Sequence, residues 1–153
     1  MNATLAANDH SLPSVVLAEL KKGGLSPQRL AQAEVFCAVF FARVGGSDVQ
    51  LHTPMQWAAL VGGLLEFMQQ RPAGRAAVRV LSPADIHAGR SLLQIVTDDT
   101  PFLIDTVSMV VSANLQIHAV IHPVVSASRD AAGALQSLGD AAGHRARQTP
   151  PDG

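Results

Sequence analysis

The hydrophobic period of this chain changes once, near residue 75, and the change limits the fold to a mixed one. Upstream, apolar residues recur at three- and four-residue steps. Leu30, Ala33, Phe36, Phe40 and Val44 form one such stripe, and Trp57, Leu60, Val61, Leu64 and Met68 form another. That spacing puts each set on one face of a helix. Ser26-Pro27 and Thr53-Pro54 supply the start signals, a capping hydroxyl followed by a proline in the first turn. Gly45 and Gly46 stop the first helix, and "RPAG" follows the second. The short connection predicts an antiparallel helical pair. The Met and Trp stripe is read as core packing, not as a partner or cofactor surface.

Downstream, short β-branched runs take over. "AAVRVL" (76–81), "SLLQIVT" (91–97) and "QIHAVIHPVVSAS" (116–128) are strand candidates, and a helix is predicted from Pro101 to about Asn114. Pro123 has no amide donor, so it belongs at an edge, a bulge or the end of regular pairing. "RDAAG" offers a turn. The order helix, helix, strand, strand, helix, strand predicts an α+β fold with helices on one face of a small sheet. With three strands, that sheet is expected to be incomplete in this chain. Four segments follow: a weakly structured lead-in (1–26) with a short helix at Val15–Lys22, the helical pair (27–72), a partial α+β domain (73–139), and a polar, Pro/Gly-rich tail (140–153) expected to be disordered.

Composition excludes several classes. A net charge of −1 gives no long-range attraction to nucleic acid or anionic membrane. One tryptophan, five phenylalanines and no tyrosine argue against a base-stacking surface. Cys37 is the sole cysteine, so neither an internal disulfide nor a cysteine-based zinc cluster can form. Its setting, "EVFCAVFFARV", predicts a buried, inert thiol. The N-terminus lacks a basic region, and Asp9 and His10 interrupt it, which does not make a signal peptide. The apolar stretch Val35–Ala42 is too short to span a bilayer. A cytoplasmic location is expected.

The most suggestive junction is "IVTDDTPFLIDTVSMVV" (95–111), where a strand runs into a helix. Thr100 can cap that helix, and Pro101 suits its first position. Asp98 and Asp99 precede its positive end, which favours carboxylates by a few tenths to about 1 kcal/mol. Leu103, Val107 and Val110, widened by Ile104 and Val111, form a stripe worth roughly 1.5–3 kcal/mol per fully buried side chain. Structure alone accounts for most of the motif. A phosphate site would need glycines here, and two carboxylates would repel the anion. A metal site on Asp98, Asp99 and Asp105 is short of ligands, because adjacent aspartates on an extended segment point apart. A small amino-acid effector is the third reading. His118 and His122 would share a zinc on a helix, but on a strand they stand roughly 13 Å apart. No Ser-His-Asp, paired-carboxylate or P-loop pattern is found, so no catalytic, cofactor or metal residue is assigned.

Three stretches carry a resemblance: "VFFARVGGSDVQLHTPMQWAALVGGLLEFMQQRPAGRAAVRVLSP", "LLQIVTDDTPFLIDTVSMVVSANLQIHAVIHPVV" and "SRDAAGAL". In this order and spacing they resemble the N-terminal region of the large bacterial NAD-specific glutamate dehydrogenases, with Ile95–Val124 the most specific part. The resemblance covers Val39–Leu135. It implies an ACT-like domain, a ferredoxin-like module often used to sense amino acids. It implies that catalysis and NAD belong to a parent enzyme deaminating L-glutamate to 2-oxoglutarate, outside this chain, and that more sheet follows "RDAAGAL". Partners would be the rest of that enzyme, or a second copy through sheet edges. ACT domains that bind amino acids usually carry a glycine near the start of the first helix. This chain has Pro101-Phe102 there, and so large a side chain would crowd the ligand position. An effector here would be surrounded by Asp98, Asp99, Thr100, Pro101, Phe102 and Asp105. The alternative reading is a stand-alone interaction or amino-acid-sensing module.

Overall fold

Ser26 and Thr53 act as the caps their spacing predicts. In the computed structural model, which describes residues 12–82 and 90–141, Ser26 Oγ accepts from the Arg29 amide at 3.2 Å and opens helix α2 (Pro27–Ala42). Thr53 opens helix α3 (Pro54–Phe67) through a full capping box. Its Oγ1 accepts from the Gln56 amide at 3.2 Å, and Gln56 Oε1 accepts from the Thr53 amide at 2.9 Å. A 3-10 turn at Asp48–Leu51 joins the two.

From Leu12 on, the lead-in is more ordered than its sequence suggests. Helix α1 spans Leu12–Lys22, beginning three residues before the expected Val15, and buries Leu12 and Val16. It packs on both α2 and α3 more extensively than those two pack on each other. Contact with α3 is close at Gly62, where an added Cβ would sit 2.8 Å from Leu20 Cδ2. The expected helical pair is thus a three-helix layer. Residues 1–11 lie outside the described residues, as do 83–89 and 142–153. The expected disordered tail therefore falls outside them almost entirely, and its first residue, Asp140, ends a strand.

The core lies within this helical layer. Phe36, Cys37 and Phe40 of α2 meet Trp57, Ala58, Val61 and Leu65 of α3, with Met68 just beyond. Trp57 is 1% exposed, its ring stands edge-on to Phe40, Phe41 and His52, and its Nε1 donates to the Val49 carbonyl at 2.9 Å. The Met and Trp stripe is core, as expected. Burial also pushes the Cys37 thiol up to about 11, which keeps it protonated and unreactive.

One polar network crosses the core. Gln32 is buried; its Nε2 donates to the Gln136 carbonyl at 3.3 Å and its Oε1 accepts from Gln69 Nε2 at 2.9 Å. These bonds tie α2 to the end of α3 and to the last strand.

The α+β expectation holds, with a different strand arrangement. The described residues form two separate antiparallel pairs in place of one three-stranded sheet. Strands β1 (Ala77–Leu81) and β2 (Leu92–Val96) pair with Val78 opposite Ile95, Arg79 opposite Gln94 and Val80 opposite Leu93. The Arg79 face turns toward α3. Its guanidinium stacks 4.4 Å above the Phe67 ring, donates to the Gly63 carbonyl at 2.9 Å and to Gln94 Oε1 at 2.6 Å. The opposite face, with Val78, Val80 and Leu93, is exposed.

Strands β3 (Val125–Arg129) and β4 (Leu135–Asp140) form the second pair. The expectation of more sheet after "RDAAGAL" is met by β4, which packs on α2 and buries Leu135. The third strand candidate is shorter than expected: residues 116–124 are not strand, and β3 starts two residues after Pro123. A proline that cannot donate ends pairing at this point.

Candidate functional site

The site is assembled by two turns, "RPAG" and "RDAAG", beside the end of β2. The segment leaving α3 runs beside the start of β4: the Arg71 amide donates to the Gly133 carbonyl at 3.0 Å, and the Leu135 amide donates to the Gln69 carbonyl at 2.8 Å. Between them Gln70 and Ala134 form an isolated bridge. The "RDAAG" turn is fixed by Asp130, whose Oδ1 accepts from the amides of Ala132 and Ala134, each at 2.9 Å. Gly133 is required there. Its φ is +87°, and a Cβ would lie 2.8 Å from the Arg71 carbonyl carbon and closer still to its oxygen.

A cleft of about 510 Å³ opens between this turn, the end of β2 and β3. Arg71 and Arg129 line it, with Asp98 and Asp99 from the β2 end. Arg71 Nη2 donates to Asp98 Oδ1 at 2.7 Å, and its Nη1 donates to the Arg75 carbonyl at 3.1 Å. Arg129 Nη1 donates to the Gly133 carbonyl at 3.0 Å. Burial pushes the Arg129 guanidinium below its ordinary value, the Arg71 charge pushes the same way, and Asp98 opposes both.

A second, smaller groove of about 230 Å³ is lined by Thr100, Phe102, Leu103, Ile104, Asp105 and His122. The six residues expected around an effector are therefore divided. Asp98 and Asp99 face the first cleft, Thr100, Phe102 and Asp105 face the second, and Pro101 lines neither.

The helix start differs from expectation. Helix α4 spans Leu103–Ser112, and its capping position is Phe102, with no side-chain cap. Thr100 does not cap, and Pro101 lies in the preceding turn. A capping box needs an acceptor side chain three residues after its hydroxyl, and Leu103 has none. Phe102 instead adopts a left-handed φ of 63° with 77% of its surface exposed. The apolar stripe of α4 is also not buried: none of its residues is, and Val110 is 65% exposed. The principal packings among the described elements do not include α4, so among the described residues its stripe lacks the partner face that burial requires.

His118 is exposed and His122 half-buried, both on the irregular segment before β3 and not on a strand. Among the described residues no group of three or more His, Cys, Asp or Glu could hold a metal ion. None of the helices among the described residues is long and apolar enough to cross a membrane.

Sequence reasoning missed Arg71, Arg129 and Gly133 as one constellation. Each sits at a turn that the sequence marks, "RPAG" and "RDAAG". Their meeting depends on β4 lying beside Gln69–Arg71, a pairing across more than sixty residues that no local pattern announces.

Comparison with known proteins agrees with the resemblance. No curated protein matches the chain, and no solved structure does. The family described as glutamate dehydrogenase, ACT1 domain, matches residues 36–151. That span holds α2 from Phe36 onward, α3, both strand pairs and both clefts. The match covers well over half of the chain, which therefore belongs to the glutamate dehydrogenase ACT1-domain family.

Proposed function

We propose that this chain is a non-catalytic regulatory and assembly domain from the N-terminal region of a large NAD-dependent glutamate dehydrogenase, which converts L-glutamate to 2-oxoglutarate and ammonia. The observation that carries the reading is the family match across 36–151. The chemistry of the β2–α4 junction supports a role without NAD. A dinucleotide needs close backbone approach at a glycine-rich turn. Residues 97–103 contain no glycine, and they present two aspartates and the Phe102 ring. NAD would then be held elsewhere in the parent polypeptide, and no step is assigned to it here.

An assembly role is supported by what the described chain leaves uncovered. Val78, Val80 and Leu93 on one face of β1–β2, and Met109 and Val110 on α4, are exposed apolar side chains. They would dock against the rest of the dehydrogenase. The same surface and the open strand edges support a second reading, a stand-alone module pairing with another copy.

One measurement separates these readings. An antibody against the domain would report the size of the native polypeptide in its source cells. A very long polypeptide co-fractionating with NAD-dependent glutamate dehydrogenase activity is expected. A short polypeptide without that activity would overturn the proposal. Light scattering then bears on the second reading, which a strictly monomeric chain at high concentration would remove.

A further inference from the structure

A strand pair with one face in water ordinarily puts its aliphatic side chains inward and its polar ones outward. The β1–β2 hairpin reverses this. Its polar side chains, Arg79 and Gln94, face helix α3, where Arg79 stacks on Phe67 and Gln94 is buried. Its aliphatic side chains face away. Val80 stands opposite Leu93 and Val78 opposite Ile95, so the four share one face. Val78 is 58% exposed and Val80 66%, and no charged residue lies on that face. Helix α4 has a similar imbalance. Phe102, Thr106, Met109 and Val110 follow helical spacing and are all exposed, while Leu103, Ile104, Val107 and Val111 on its other side are half-buried. The one charged residue of α4, Asp105, lies beside the exposed stripe and outside it. Only residues 97–102 separate β2 from α4, yet the principal packings among the described elements do not join them.

We propose that two copies of this chain pair by exchange, the exposed stripe of α4 in each lying across the outer face of β1–β2 in the other. The patches match in length: strands of five residues span roughly 17 Å, and a helix of ten residues about 15 Å. Neither patch carries a charge, so the contact buries none. A two-fold axis repeats the contact and closes the pair. Area favours exchange over a meeting of like faces, which would leave one patch of each copy in water. Together the two patches offer apolar surface on the order of 600 Å² per copy, at the low end of specific interfaces, and either alone offers less. An interface of that size is weak, so the pair forms at high concentration and a dilute chain is monomeric. In the parent enzyme the second copy is the same domain of another subunit. The inference deepens the assembly role proposed above and rests on that reading.

Cross-linking tells exchange from its rivals. Val80→Cys and Val110→Cys each place a thiol at an exposed position of the full 153-residue chain, and the native Cys37 is buried and unreactive. At high concentration, a short bis-maleimide should join the two variants when they are mixed and should join neither to itself. Linkage of Val80→Cys alone or Val110→Cys alone, as efficient as in the mixture, would mean that like faces meet, and would overturn the exchange. The double variant should give covalent dimers. Closure within one chain would mean that α4 covers its own hairpin, and would overturn it too. Light scattering supplies the second measurement. Val80→Asp should weaken pairing at least roughly tenfold, because an unpaired carboxylate would be buried, with the circular dichroism unchanged. A wild-type chain that stays monomeric at high concentration would overturn the interface, while the size of the native polypeptide would still decide the parent enzyme separately.

Discussion

Two places in this chain carry the same start signal and come to different ends. Thr53-Pro54 opens α3 and Thr100-Pro101 precedes α4, each followed by an apolar stripe. At Thr53 the box closes, the helix follows at once, and Trp57, Val61 and Leu65 are buried. At Thr100 two residues pass in a turn, Phe102 takes a left-handed conformation, and α4 buries none of its residues. The local difference is one side chain, Gln56 against Leu103. The larger difference is cover: α3 packs against α1 and α2, and α4 has no comparable neighbour among the described elements. A start signal biases where a helix begins, and burial against a partner supplies most of its stability.

The comparison is tested most severely by truncating one apolar residue on each helix. Trp57→Ala removes a side chain from the centre of the aromatic cluster and orphans the Val49 carbonyl. A loss of about 3–5 kcal/mol is expected in urea denaturation. Val110→Ala, on an exposed face, should stay within about 0.5 kcal/mol. If the Val110 variant lost as much as the Trp57 variant, α4 would have a partner in solution.

The same contrast governs what the sequence made legible. Helices α2 and α3, their caps, strands β1 and β2 and the buried Cys37 follow from period, capping residues and β-branching, which are local signals. The start of helix α1 is not legible locally, because the burial of Leu12 and Val16 comes from packing against α2 and α3. Residues 116–124 satisfy strand composition and form no strand: composition reports that a segment fits a sheet, not that a neighbour is present to pair with it. The Arg71–Arg129 cleft was invisible for a related reason. Its two arginines sit 58 positions apart in the printed sequence, and they are joined through a bridge that depends on β4. The split of Asp98 and Asp99 from Thr100 and Asp105 between two clefts is likewise a matter of tertiary placement, which no spacing rule contains.

A finer test compares the two threonines directly. Thr53→Ala removes a bonded cap and should cost about 1 kcal/mol. Thr100→Ala removes a hydroxyl with no capping role and should change stability by less than about 0.5 kcal/mol. Equal losses would mean that Thr100 caps α4 in solution after all. Phe102→Gly acts on the other half of the contrast. The left-handed region costs a non-glycine residue roughly 1–2 kcal/mol, and glycine gives back part of that through its greater freedom when unfolded. A net gain of up to about 1 kcal/mol is expected from thermal denaturation. A loss would show that the exposed ring has a partner surface worth more than its strain.

The smallest expected effect concerns His52, at the rim of the helical layer. Its ring stands edge-on to Trp57, 4.7 Å between centroids. Burial lowers its pKa below the ordinary 6.5, and the charge of Arg90 lowers it further. The folded chain therefore binds its proton less readily than the unfolded chain. Its contribution to stability is complete above about pH 6.5 and is lost as the pH falls from there through the lower, folded value. The ring is largely solvated, so screening keeps the effect small. Urea midpoints followed by Trp57 fluorescence should fall as the pH drops below that point, and His52→Gln should flatten this part of the profile. Because the tryptophan reports the helical layer alone, an unchanged slope in the variant would assign the acid sensitivity to another group. The aromatic rim would then be stable to protonation, and the difference between the two helix starts would rest on packing and capping without an electrostatic share.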